Sequence, residues 1–178
     1  GSVWQRYREF LPKAPEELGA FVGLKKVVSS APFPQEFWGK PICLLMSCYN
    51  GPEEAGKKAL APLLDGLPEP MFNWMGTILY PAVQSMFDGL LPSGLQWYWR
   101  GDFVRDLPDA AIDAHLAQAA AAPTEMSLMH LYPIDGAVRR RPRDATAWSC
   151  RDATWSMVIA GIDPGTRPET LSPRDFGK

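Results

Sequence analysis

Five side chains exhaust the thiols and imidazoles of this 178-residue chain: Cys43, Cys48, Cys150, His115 and His130. Its densest charge run is Arg139-Arg140-Arg141. A cysteine acts as a nucleophile when an imidazole or a cation stabilises its thiolate. No such base stands near Cys150 in sequence. His115 sits in an Ala-rich stretch and reads as a helix-face residue. His130 alternates with Leu128 and Tyr132 along one side of an extended run. No set of His, Cys, Asp and Glu has the spacing of metal ligands. An odd number of cysteines without a close pair argues against a disulfide framework and fits a reducing, cytoplasmic setting.

The arginine run follows Asp135-Gly136, a strong hairpin signal. It reads as a short strand, Ala137 to Arg141, on which successive side chains point to opposite faces. The triplet is then a solvated strand end, with an anion or substrate contact as the alternative. A nucleic-acid role would call for a basic surplus. The chain instead has a net charge of −2 and a pI of about 5.7. Neither "GAFVG" nor "GLLPSG" opens a helix after a strand, so no dinucleotide-binding loop is expected. No run of about 18 apolar residues is present, and no membrane span is expected.

Aromatic residues offer more. In Trp97-Tyr98-Trp99 alternation puts Tyr98 opposite its two neighbours. Tyr80, His130 and Tyr132 add polar-tipped rings. Rings of this kind on an open sheet face make a plausible ligand wall.

The elements that would position them follow from periodicity. Trp4, Tyr7, Phe10 and Leu11 recur at helical spacing. "LGAFVGLKKVVSSA" and "PICLLMSCY" read as strands joined by a Pro-rich loop. Pro52 and two Glu open a helix that ends near Gly66. "YPAVQSMFDGLL" predicts a short helix and "DLPDAAIDAHLAQAAAA" a clearer one. "GLQWYWRGDF", "EMSLMHLY", "AVRRR" and "ATWSMVIAGI" complete the strands. Residues 165–178 are polar and Pro-rich and read as a tail. The expected architecture is α+β: an antiparallel sheet of about six strands with helices packed mainly on one face. Residues 3–164 form that domain, and Gly1-Ser2 reads as a cloning scar.

Four stretches taken together resemble one family: "LAPLLDGLPEP", "YPAVQSMFDGLLPSGLQWYWRGDFVRDLPDAAIDAHL", "LMHLYPIDGAVRRRPRDATAW" and "CRDATWSMVIAGIDP". They are similar to the substrate domain of berberine-bridge-enzyme-like FAD-linked oxidoreductases, the bacterial branch in particular, from about Leu11 to Pro164. The resemblance implies that FAD is held by a separate domain and that this α+β unit roofs the flavin. FAD then belongs to the full-length parent and no cofactor to this chain. It also implies that residues 131–152 form a meander over the flavin. Where relatives carry a catalytic Glu on that meander, the aligned position here is Arg140, so a Glu base is not supported. Ser149-Cys150 stands where the family has Pro-His, which makes Cys150 a replacement within a structural motif.

Two classes of function remain. In the first the chain is the substrate-binding part of an FAD-dependent oxidoreductase. Its partners are the FAD-binding domain and a small organic substrate, and it is not catalytic alone. Its substrate-facing candidates are Tyr98, Arg100, His130, Tyr132 and Arg140. In the second it is a stand-alone ligand-binding domain, or a homodimer joined through the exposed sheet face.

Overall fold

The computed structural model describes residues 2–30, 33–90 and 93–165. The tail from residue 166 onward lies outside the described residues, as does Gly1.

A first helix, α1 (Ser2–Phe10), buries Trp4 and Tyr7 on one face, and a 3₁₀ turn adds Leu11. Strands β1 (Leu18–Lys26) and β2 (Pro41–Tyr49) then pair antiparallel, with Gly23 opposite Leu44. Helix α2 (Glu53–Leu64) starts after Pro52 with Glu53 and Glu54 in its first turn, and it buries Leu60 and Leu63. Short α3 (Tyr80–Ser85) precedes strand β3 (Gln96–Val104). Helix α4 (Asp109–Ala120) follows Pro108 and buries Ile112 and Ala119. Strand β4 (Leu128–Pro133), the short helix α5 (Gly136–Arg140) and strand β5 (Trp155–Asp163) complete the chain.

The strands form one antiparallel sheet in the order β2-β1-β4-β5-β3. The α+β architecture is as the sequence indicates, with five strands in place of about six. The missing strand is "AVRRR", which is helical. Asp135 is extended and caps α5, its carbonyl accepting from the Arg139 N–H at 3.4 Å. Gly136 takes φ +53°, a conformation glycine adopts without strain. The Asp-Gly pair therefore starts a helical turn rather than closing a hairpin.

Helices α1, α2 and α4 share one core with the sheet. Trp4, Tyr7, Leu63 and Ile112 meet Val22 and Leu24 of β1, Met129 and Leu131 of β4, and Trp155 of β5. The buried Tyr7 hydroxyl donates to the Ala20 carbonyl at 2.9 Å, tying α1 to β1. Period-2 alternation then sends the intervening residues of each strand to the other face.

Candidate functional site

On that second face the register lays out three cross-strand rows. The central row runs Leu44, Gly23, His130, Val158, Gly101. One flanking row runs Met46, Phe21, Tyr132, Ser156, Phe103, and the other Ile42, Lys25, Leu128, Ala160, Trp99. The central row is low because two of its five members are glycines. His130 is its single polar side chain.

His130 lies across the backbone of Gly23: a Cβ built at Gly23 would stand 2.9 Å from the imidazole Cδ2. The glycine thus makes the space the ring occupies. Phe21 meets the imidazole edge-on at a centroid distance of 5.6 Å and lies 4.9 Å from the Tyr132 ring, tilted by 35°. The Tyr132 hydroxyl and His130 Nδ1 are 2.7 Å apart. With the phenol donating to Nδ1, the ring proton sits on Nε2. Burial, helped by the positive charge of Lys25, pulls His130 down to about 4. The imidazole is therefore neutral at pH 7. Burial raises the Tyr132 phenol and so keeps it protonated as the donor.

The sequence candidates do not all converge. His130 and Tyr132 share the open face. Tyr98 and Arg100 lie on the opposite side of edge strand β3, since Arg100 is registered with Ile159, which packs against the helix-side core. Trp97 and Trp99 are on the same side as His130 and stack at 5.6 Å with 7° between their planes. Arg140 is in α5, where its guanidinium pairs with Glu16 at 2.6 Å in solvent. Tyr80, at the start of α3, is 71 % exposed. Lys25 is half-buried on the same face as His130.

The stretch from Val138 to Trp148 is held by the buried Arg151. Its Nη1 donates to the Val138 carbonyl at 2.8 Å and its Nη2 to Thr146 Oγ1 at 2.7 Å, and its guanidinium lies over the Trp148 ring. Cys150 lines a shallow depression with Phe103, Arg105, Arg143, Asp152 and Ala153, where Arg105 pairs with Asp152. Neither histidine lines it. His115 packs against Trp4 at 5.5 Å, on the helix side. Among the described residues no group of three His, Cys, Asp or Glu could hold a metal ion, and no helix is long and apolar enough to cross a membrane.

Neither of the two longest helices offers a helix start suited to a bound FAD pyrophosphate. Such a group needs backbone N–H groups at a helix start free of competing negative charge. The two longest helices open instead with Glu53 and Glu54, and with Asp109. Acidic first turns favour the helix dipole and repel a phosphate.

No family model matches the chain. An FAD-linked oxidoreductase of Dictyostelium discoideum is 28 % identical over 123 residues, covering 68 % of this chain and 27 % of the relative. Among solved structures, a chitooligosaccharide oxidase superposes with a TM-score of 0.68 at 14 % identity, covering 98 % of this chain and 37 % of that one. A berberine-bridge-enzyme-like protein of Arabidopsis thaliana gives 0.69 at 16 % identity, covering 95 % of this chain and 35 % of that one. The two structures establish the fold, and the Dictyostelium protein carries the likeness in sequence. The chain thus resembles a part of the berberine-bridge-enzyme-like FAD-linked oxidoreductases, as its motifs indicate. It spans between a quarter and two fifths of the relatives it matches.

Proposed function

We propose that this chain is the substrate-binding domain of an FAD-linked oxidoreductase, with its open sheet face forming one wall of the substrate site. The observation that carries the reading is the division of the sheet. One face packs against α1, α2 and α4, while the other carries the His130–Tyr132 pair beside Phe21, on which Phe87 also packs. FAD, held by another domain, would supply the redox chemistry. The chain's own residues bind and orient the substrate and shield it from water. The Nε2–H of His130 donates to a substrate oxygen. Alone, the chain is not catalytic.

The test is a titration of the purified chain with FAD, followed by flavin fluorescence. Absence of binding is expected. Stoichiometric binding would overturn the division of labour between this chain and a flavin-holding domain.

A self-associating domain is the second reading. Phe72, Trp74, Leu79 and Tyr80 favour it, since each is more than half exposed along residues 72–80. A single monomeric species in sedimentation at high concentration would remove it.

A further inference from the structure

Among the described residues Lys25 is a cation with no direct counter-charge. It is half-buried on the open face, and among the described residues no carboxylate lies within ion-pair distance of it. Glu125 acts on it from further away. That carboxylate is already engaged by Ser29, whose N–H and Oγ donate to it at 2.8 and 2.5 Å. The neighbouring Lys26 points to the other side and donates to the Ala122 carbonyl. Burial lowers the affinity of Lys25 for its proton, so a nearby anion would relieve that desolvation.

His130 is the diagonal neighbour of Lys25. Gly23, two residues before Lys25 on the same face, is directly opposite His130. Diagonal pairs on a sheet lie about 7–8 Å apart, within reach of a long side chain. With the Tyr132 phenol donating to Nδ1, the imidazole Nε2–H has no acceptor among the described residues. Gly23 places no side chain between the two donors, and Phe21 supplies a ring beside the imidazole. A planar group with two acceptor oxygens and one negative charge matches an ammonium and a neutral N–H side by side.

We propose that Lys25 and His130 form a carboxylate-binding subsite, and that the substrate or ligand of this face is an organic acid with an apolar, flat portion lying toward Phe21. The subsite rests on the reading of the open face as a substrate wall, but it is tested without flavin.

The experiment is a titration of the isotope-labelled chain with benzoate, and separately with benzamide, read by NMR at the His130 ring and the Lys25 side chain. Benzoate shifts both, and benzamide binds at least about tenfold more weakly, a difference of about 1.4 kcal/mol. Lys25→Met loses a similar factor and Lys25→Arg recovers most of it. Each variant is checked by its amide spectrum for an intact fold. Equal affinity for benzoate and benzamide, unchanged benzoate binding in Lys25→Met, shifts confined to the Arg105 and Arg143 depression, or no shift at all would each overturn the subsite. In any of those outcomes the substrate-domain reading would stand or fall separately, on the FAD titration.

Discussion

The Tyr132 hydroxyl lies 2.7 Å from Nδ1 of His130, two residues earlier on the same face of β4. With the phenol donating, the contact leaves the ring proton on Nε2. Tyr132→Phe removes the donor and leaves Nδ1 half-buried without a partner. We expect a loss of about 1 kcal/mol in stability. Imidazole ¹⁵N shifts should move from one tautomer to a mixture. A single tautomer persisting in the variant would show that the phenol does not fix it.

Because burial depresses His130 to about 4, its folded-state affinity for a proton is below that of the unfolded chain. Between pH 6.5 and 4 the unfolded state therefore binds more protons. Its contribution to stability is complete above the unfolded value and is lost as pH falls through that window. After discounting for the part of the ring that water reaches, the effect is on the order of 1–2 kcal/mol. Denaturant titrations of wild type and His130→Gln should converge as pH falls from 7 to 4. Parallel curves would contradict the shift. His115, also lowered by burial, is common to both proteins and cancels.

Gly23→Ala should push the imidazole off its seat. The new Cβ would meet His130 Cδ2 at 2.9 Å, and the Met129 carbonyl oxygen at 3.5 Å leaves little room to shift. Overpacking of this kind costs about 1–3 kcal/mol. The Tyr132–His130 bond should weaken as well, giving the ¹⁵N signature expected of Tyr132→Phe. Wild-type stability and wild-type shifts together would mean that the glycine is not needed to seat the ring.

Arg151→Lys should loosen the segment from α5 to β5. Arginine holds the Val138 carbonyl and the Thr146 hydroxyl with two separate nitrogens while stacking on Trp148. Lysine lacks the planar fork. We expect a loss of about 2–3 kcal/mol and faster amide exchange of residues 136–148. Exchange unchanged in that segment would contradict the clamp.

Much of this arrangement was legible in the sequence because it is local. The apolar alternation of "LGAFVGLKK" and "EMSLMHLY" sets strands and faces, and the apolar spacing of Trp4, Tyr7 and Leu11 sets the buried side of α1. What was misread depends on distant partners. Asp135-Gly136 is chemically suited to a hairpin or a helix start. The outcome goes with contacts from outside the segment: Glu16 to Arg140 and Arg151 to the Val138 carbonyl. The place of Lys25 is set in the same way. At the end of a strand beside Lys26 it reads as a solvated charge, and only the β1–β4 register brings it next to His130. Tyr98 and Arg100 are substrate-facing candidates by sequence, with no face set for them. The pairing of β3 with β5 puts them on the face opposite His130.

That opposition provides the most direct test of the central claim, that the open face meets the substrate. In a flavin-holding form of the full-length protein, the rate of flavin reduction by substrate would be measured by stopped flow. Four variants would be compared: His130→Gln, Tyr132→Phe, Tyr98→Phe and Arg100→Gln. The account predicts that the first two slow reduction by about tenfold or more, the loss of one transition-state interaction of about 1.4 kcal/mol, and that the last two leave it near the wild-type rate. Slowing confined to Tyr98→Phe and Arg100→Gln, with His130 and Tyr132 dispensable, would contradict it.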